Sequence, residues 1–241
     1  MKLHRFFVRE EINYKAKEIS ISDSSVAHQM KYVLRLHKND EVIILDGSGI
    51  EFHGRIKILT KHELVIAKID VKKVERKQDL LNVHLFVSLI KKDKFEWVLQ
   101  KVTELGVTRI TPVLSERTEK QKINMDRADK IIIEACEQSG RVDYPFLDAP
   151  ISLKEALSIC ETAPIVLDMN GEMIDVKQLK ESSSEGSQVV NVSLFIGPEG
   201  GWDKKDWEQF EKSEVKRMSV GSQVLRAETA SIAVSSLLLL G

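Results

Sequence analysis

Two glycine-containing stretches near the end of the chain carry the residues best suited to binding a ligand. The first, Phe195 to Asp203, reads FIGPEGGWD, and the second, Ser219 to Ser231, reads SVGSQVLRAETAS. Each lies where a predicted strand ends and a predicted helix begins. In parallel sheets ligands bind at such strand ends, and glycine lets the backbone approach a ligand closely. The alternative for the first stretch is a tight turn that binds nothing.

The composition of these loops indicates what kind of ligand they bind. The first loop does not have the spacing of a nucleotide phosphate-binding motif, and its Pro198 has no backbone N–H to offer a phosphate. A nucleoside held by backbone hydrogen bonds fits better. Arg226 opens the last predicted helix, where the macrodipole disfavours a cation, which favours a specific role for this residue. The alternative is that Arg226 and Glu228 are solvated charges at a helix end.

The cysteines and histidines exclude several classes of site. Cys136 and Cys160 are the only thiols and do not form a C-x-x-C pair, which argues against a disulfide framework or a zinc finger. All six histidines lie within the first 84 residues. A Ser-His-Asp site or a His-rich metal site built from the last 150 or so residues is therefore excluded, and we predict no metal.

The charge of the chain is unevenly distributed. Its 241 residues are 42% hydrophobic and 30% charged, which is typical of a globular protein of one or two domains. The net charge of −1 divides into +7 over residues 1–131 and −8 over residues 132–241. This asymmetry indicates an anionic partner for the basic part, unless folding intermixes the charges. Without a signal peptide or a membrane-spanning stretch, we expect a soluble, cytoplasmic protein.

The pattern of elements changes near residue 72. Before it, short strands are predicted at 41–46, 50–59 and 63–71, with one helix at 24–34 that Ser22 or Asp23 caps. After a charged connector, strands and helices alternate from Leu81 onward. This alternation predicts an α/β domain with a largely parallel sheet covered by helices on both faces. Both glycine loops come late, which disfavours a conventional Rossmann order.

The combined motifs resemble one family over essentially the whole chain. Gly197-Pro198-Glu199-Gly200-Gly201 followed by Leu225-Arg226-Ala227-Glu228-Thr229-Ala230 is similar to the signature of the RsmE family, the 16S rRNA uracil-N3 methyltransferases. Further matches, in chain order, are HRFFV at 4–8, VLR at 33–35, QKVTELGV at 100–107, SER at 115–117 and EACEQSGR at 134–141.

This resemblance implies a fold, a cofactor and a partner. The family belongs to the SPOUT superfamily, so we expect a SPOUT-type α/β trefoil-knot catalytic domain at 73–241 preceded by a small PUA-like β-barrel domain at 1–72. It further implies a homodimer, S-adenosyl-L-methionine as methyl donor, and a uridine of 16S rRNA in the 30S subunit as acceptor. The cofactor-binding residues that it implies are Leu167, Ile196, Gly197, Gly200, Gly201, Val220, Gly221, Leu225, Ala227, Thr229 and Ala230.

Methylation of uracil N3 assigns roles to the charged residues of the loops. Arg226 would stabilise the anion left when the imino proton departs, with Glu199 or Glu228 as base or orienting partner. The residues expected to contact RNA are Arg5, Arg35, Lys92, Arg117, Lys120 and Arg141, the last in its own subunit or across a dimer. Two alternatives remain: a SPOUT enzyme acting on another RNA or a ribose hydroxyl, and a non-catalytic RNA-binding assembly factor.

Overall fold

The chain folds into two compact units. A computed structural model describes residues 3–61, 63–74, 81–118, 122–160, 164–181 and 189–241. The first unit comprises Met1–Lys77 with Cys136–Tyr144, and the second comprises Gln78–Ala135 with Pro145–Gly241. The division thus differs from the expected domains 1–72 and 73–241 mainly in the segment Cys136–Tyr144. That segment groups with the first unit because Glu137 accepts a hydrogen bond from the Phe7 N–H at 3.0 Å.

The first unit is a five-stranded sheet with one short helix. Its elements are β1 (His4–Phe7), β2 (Glu18–Ile21), α1 (Ser24–His28), a π-helical turn (Gln29–Val33), β3 (Glu41–Leu45), β4 (Ile50–Leu59) and β5 (Leu64–Lys73). The strand order is β1-β3-β4-β5-β2, with β1 parallel to β3 and the other pairs antiparallel.

Side chains from all five strands meet in the core of the first unit. Phe6, Ile19, Ile44, Phe52 and Ile66 are buried together with Met30 of the π-helical turn. The predicted strand 50–59 is confirmed. The predicted helix 24–34 starts as expected, with Asp23 capping Ser25 N–H, but it is α-helical only as far as His28.

The second unit alternates strands and helices. Its elements are β6 (Leu81–Ser88), α2 (Lys92–Leu105), β7 (Arg109–Leu114), α3 (Met125–Ser139, whose last residues belong to the first unit), β8 (Phe146–Leu147), β9 (Ile151–Ser152), α4 (Leu153–Ser158), β10 (Ile165–Met173), α5 (Val176–Glu181), β11 (Val190–Ile196), α6 (Lys204–Lys212), β12 (Lys216–Ser219) and α7 (Ala227–Leu240).

Parallel pairing of the strands confirms the α/β prediction. The sheet order is β12-β10-β11-β6-β7-β8, with β9 also beside β7, and the pairs along it are parallel. Phe86 and Phe195 stack on one face, in a cluster with Phe210 of α6. Leu85 and Leu194, which precede these phenylalanines and therefore point to the opposite face of the sheet, are equally buried. Both faces of the sheet are thus covered. The trefoil knot stays a prediction.

Among the described residues, no α-helix is both long enough and apolar enough to cross a membrane. The predicted helix 227–240 is confirmed as α7.

Candidate functional site

Three neighbouring strands of the second unit border one cavity. Strands β12, β10 and β11 are adjacent in the sheet, and the cavity wall includes the segment 167–170 within β10 and the segments 196–202 and 219–230 at the carboxyl ends of β11 and β12. Its volume of about 540 Å³ lies within the roughly 300–1,000 Å³ typical of small-molecule sites. The sheet order therefore joins the two glycine stretches of the sequence and adds a third segment.

The loop after β11 is a tight turn that leads into α6. The Gly201 N–H donates to the Pro198 carbonyl at 2.9 Å, and Gly201 has φ +68°, a left-handed conformation that glycine adopts without strain. A Cβ atom on Gly197 would lie 3.1 Å from the Trp202 indole. Asp203 then caps α6 through a capping box with Asp206. Local interactions thus determine the conformation of the loop.

Arg117 fastens this loop from the end of β7. Its guanidinium donates to the Gly200 carbonyl at 2.6 Å and to the Asp203 carboxylate at 3.2 Å. Hydrogen bonding by the Lys205 backbone N–H, together with the charge of Arg117, lowers the pKa of Asp203. The structure therefore places this predicted RNA contact on the glycine loop, where it supports the cavity wall.

A bulge in β10 supplies the third segment of the wall. Both Leu167 and Glu172 align with Met218 of β12, so the residues between them leave the regular ladder. Asp168 accepts a hydrogen bond from the Asn170 N–H at 2.7 Å and lines the cavity. Sequence reasoning missed Asp168, Met169 and Asn170. Their position at the end of the predicted strand 165–168 was the available signal.

The second glycine loop and the first turn of α7 complete the cavity. Ser219 Oγ donates to the Gly221 carbonyl at 2.7 Å, and a Cβ on Gly221 would meet nothing within 4 Å. Arg226 is the N-cap residue of α7, is exposed, and makes no side-chain capping bond. Among the described residues of the wall, it is the only cation, beside the carboxylates Asp168 and Glu199.

Most of the predicted cofactor-binding residues lie in the wall. Those that line the cavity are Leu167, Ile196, Gly197, Gly200, Gly201, Val220, Gly221, Leu225, Ala227 and Ala230, whereas Thr229 does not. Of the predicted catalytic carboxylates, Glu199 lines the cavity, and its Oε1 accepts from the Lys91 N–H at 3.4 Å. Glu228 is buried outside the wall, with Oε1 3.7 Å from Lys94 Nζ.

Two tryptophans form the aromatic part of the wall, and sequence reasoning assigned no cavity role to either. Trp202 packs edge-on against Phe210, with ring centroids 4.8 Å apart. The Arg217 guanidinium carbon lies 3.7 Å from the centroid of the Trp207 ring. Such cation–π stacking holds an indole in place.

The predicted RNA-binding residues differ in solvent exposure and in whether a carboxylate already pairs with them. Arg35 is exposed, and the Lys92 side chain is 69% exposed with its Nζ 3.9 Å from Glu96. Arg5 is paired with Glu51 at 3.3 Å. The side chain of Arg141 is only 6% exposed and makes an ion pair of 2.7 Å with Asp143. Lys120 lies outside the described residues.

The described residues contain no group of three or more histidine, cysteine, aspartate or glutamate side chains placed to hold a metal ion. Histidine is also missing from the cavity wall in the part of the chain that the structure describes. The polar and aromatic groups that the wall offers are thus backbone amides, two carboxylates, one guanidinium, the side-chain amides of Asn170 and Gln223, the Ser219 hydroxyl and two indole rings.

Two family profiles match the chain. One, described as an RNA methyltransferase domain, matches residues 76–239, and the other, described as an RNA methyltransferase PUA domain, matches residues 23–69. A Ribosomal RNA small subunit methyltransferase E of Rickettsia conorii is 32% identical over 244 residues, covering 100% of this chain and 97% of that protein. A protein of the same name from Bacillus subtilis is 27% identical over 95% of this chain and 93% of its own length.

Solved structures resemble the fold over nearly the full length. A crystal structure of a Ribosomal RNA small subunit methyltransferase E from Neisseria gonorrhoeae bound to S-adenosyl methionine has a TM-score of 0.85 at 27% identity, covering 98% of this chain and 97% of that one. A putative methyltransferase from Legionella pneumophila, in complex with the cofactor SAM, gives the same score and identity over 99% and 97%.

Proposed function

Because the chain belongs to the RNA methyltransferase family, and within it to the ribosomal RNA small subunit methyltransferase E proteins, we propose that it transfers a methyl group from S-adenosylmethionine to N3 of a uridine in 16S rRNA. The observation that carries this proposal is the cavity bordered by the β10 bulge and by the carboxyl ends of β11 and β12. It combines a nucleoside-sized space with Arg226 at its wall.

The residues of the cavity fit the proposed cofactor. S-adenosylmethionine is a sulfonium cation attached to a nucleoside, and when bound it supplies an electrophilic methyl group. The open space at Gly201 and Gly221 leaves their backbone accessible to a ligand, and no phosphate site is required. Asp168 and Glu199 give the wall two negative charges against the single charge of Arg226, which favours a cationic ligand.

Arg226 and Glu199 are the residues proposed to act on the uracil ring. Loss of the imino proton from N3 leaves negative charge shared with two carbonyl oxygens, and a preorganised guanidinium stabilises such an anion. Glu199 is exposed at the cavity, where a carboxylate can accept the proton directly or through water. Glu228 is proposed as a positioning residue, because it is buried at the start of α7 beside Lys94.

The partners and location follow from the proposed substrate. Arg35 and Lys92 have the exposure required to contact phosphates of 16S rRNA or of the 30S subunit, and such contacts position an RNA without reading its bases. A homodimer and a cytoplasmic location belong to the same proposal. Arg141, which is engaged with Asp143, is proposed to contact RNA only if that ion pair opens.

The decisive experiment measures methyl transfer and maps its product. Purified protein is incubated with radiolabelled S-adenosylmethionine and 30S subunits that lack the modification, and the label is assigned to a nucleotide and an atom. We expect label at N3 of one uridine of 16S rRNA. Label on a ribose hydroxyl or on another RNA would support the alternative SPOUT activities, and cofactor binding without transfer would contradict an enzymatic role.

A further inference from the structure

The segment after α1 has an unusual backbone. Instead of continuing as an α-helix, residues Gln29–Val33 form a π-helical turn, in which the Leu34 N–H donates to the Gln29 carbonyl at 2.9 Å. Arg35 follows with φ +54°, a left-handed conformation that non-glycine residues seldom adopt. Both features are costly for a chain and are found preferentially at functional sites.

The wide turn separates a buried face from an exposed apolar one. Met30 is fully buried in the core of the first unit, whereas the Tyr32 and Val33 side chains are 52% and 65% exposed. The centroids of the Tyr32 and His28 rings are 5.0 Å apart. Lys31 Nζ lies 5.6 Å from the centroid of the Tyr32 ring. An aromatic ring is thus held at the surface by its neighbours without being covered.

The segment that carries Tyr32 is positively charged. Residues 24–39 contain Lys31, Arg35 and Lys38 and no aspartate or glutamate. The carboxylates at either end are engaged locally: Asp23 accepts from Ser25 N–H and Asp40 accepts from His37 N–H. A third carboxylate, that of Glu137, accepts hydrogen bonds from Gln29 Nε2 and from the Phe7 N–H. Hydrogen bonds from neutral donors leave these three carboxylates charged. The positive charge therefore belongs to the segment 24–39 itself, whose cations are the side chains available to a phosphate beside Tyr32.

We propose that this face, the Tyr32 platform (His28, Lys31, Tyr32, Val33, Arg35 and Lys38), binds an unpaired segment of RNA, with one base stacked on Tyr32 and backbone phosphates at Lys31, Arg35 and Lys38. The identity of that RNA as the methylation substrate rests on the proposed function. A base offers its flat face to an aromatic ring only when it is unpaired, and sequence-tolerant stacking between phosphate contacts is how proteins bind single strands.

The test compares RNA affinities of matched variants at several salt concentrations. The probes are a short single-stranded RNA of mixed sequence and the duplex formed with its complement. Tyr32→Ala should weaken binding of the single strand about 5- to 150-fold, whereas Tyr32→Phe, which keeps the ring, should bind nearly as the wild type does. The slope of log affinity against log salt should not change for either variant, because no phosphate contact is lost.

Lysine and tryptophan variants separate stacking from charge. Lys31→Ala should make the salt slope shallower by about 0.7, the value for one phosphate on a single strand. Trp97→Ala is the control, because Trp97 is a second exposed aromatic residue with a lysine, Lys94, 5.9 Å from its ring, but it lies on α2 of the second unit. Its removal should leave RNA affinity unchanged.

Several results would overturn the platform. These are an unchanged single-strand affinity for Tyr32→Ala, equal losses for Tyr32→Ala and Tyr32→Phe, or an equal loss on the duplex. Circular dichroism of each variant identifies an effect of misfolding. If wild-type protein fails to methylate 30S subunits while Tyr32→Ala still loses single-strand affinity, the proposed function fails and the platform stands. If the wild-type protein methylates 30S subunits but Tyr32→Ala binds the single strand as tightly as the wild type does, the platform fails and the proposed function stands.

Discussion

Arg226 illustrates how a residue that is unfavourable for its element indicates function. A cation at a helix N-terminus opposes the macrodipole, yet Arg226 occupies the N-cap position of α7 and forms no side-chain capping bond there. Its side chain instead belongs to the cavity wall with Glu199. The proposed stabilisation of the uracil anion gives a reason for this placement.

Replacing Arg226 by alanine should reduce methyl transfer about 10²- to 10³-fold, the usual effect of removing one group that stabilises a developing anion. Single-turnover rates on 30S subunits measure this loss. Affinity for S-adenosylmethionine, measured by titration calorimetry, should change little. Arg127→Ala, which removes an exposed arginine paired with Glu96, is the control. Near-wild-type transfer by Arg226→Ala would contradict the assignment.

His84 of β6 belongs to a polar network with Thr111 and Arg109 of β7, and no member of this network lines the cavity. Thr111 donates its hydroxyl proton to Asp148, so it accepts from His84 Nε2 at 2.7 Å, and Arg109 binds the same carboxylate at 2.8 and 3.0 Å. Burial, assisted by the positive charge of Arg109, lowers the pKa of His84 to about 4. This histidine is therefore neutral in the folded protein at neutral pH.

The depressed pKa of His84 predicts a pH dependence of stability. Between about pH 6.5 and 4, this histidine is protonated in the unfolded chain, where its pKa is near 6.5, but remains neutral in the folded protein. The free energy of unfolding should therefore fall as the pH drops from about 6.5 towards 4, and His84 should not affect its pH dependence above about pH 7. Urea unfolding at pH 7 and pH 5 measures the effect. The decrease should be smaller in His84→Gln than in the wild type. Equal decreases in the two proteins would contradict the prediction.

At the scale of elements, the site depends on two different uses of glycine. A Cβ on Gly171, at the end of the β10 bulge, would lie 2.6 Å from the Met218 backbone nitrogen of β12. Gly221, in contrast, has open space where its Cβ would stand. One glycine permits two strands to approach, and the other leaves room in the cavity.

This difference predicts opposite outcomes for two alanine variants. Gly171→Ala should lower the free energy of unfolding, because the backbone of β12 must shift, and it should weaken cofactor binding through the displaced bulge. Gly221→Ala should keep the stability of the wild type while weakening cofactor binding several-fold. Thermal unfolding without ligand and calorimetric titration of S-adenosylmethionine measure both. A loss of stability in Gly221→Ala would contradict the inference that the space beside Gly221 is open to a ligand.

At the scale of the molecule, the near-neutral net charge is the sum of two parts to which we assign different binding tasks. The positively charged residues 1–131 include the exposed Arg35 and Lys92, whereas the residues that line the proposed cofactor cavity all belong to the negatively charged residues 132–241. Ion pairing distinguishes the predicted RNA contacts from one another. Arg5, Arg117 and Arg141 are paired with carboxylates, so Arg35 and Lys92 are the better candidates in the proposed RNA contact.

The two tasks should respond differently to salt. RNA affinity should fall steeply as salt rises, because each phosphate contact releases counterions, while affinity for S-adenosylmethionine should change little. Arg35→Ala should make the salt dependence of RNA binding shallower. Arg141→Ala should instead lower stability, since the mostly buried ion pair between Arg141 and Asp143 is lost. RNA binding that does not respond to salt would contradict the role of the basic residues.

The sequence by itself determined the local features of this protein and its family. The caps at Asp23 and Asp203, the helix 227–240 and the strand 50–59 follow from short-range patterns, and the two glycine motifs identified the family. Only the tertiary structure decided which segments meet. Strand order brings β10 between β12 and β11, Arg117 reaches Gly200, and Glu228 is withdrawn to Lys94. These contacts join residues far apart in the chain, and their formation depends on strand register and burial, which residue spacing does not encode.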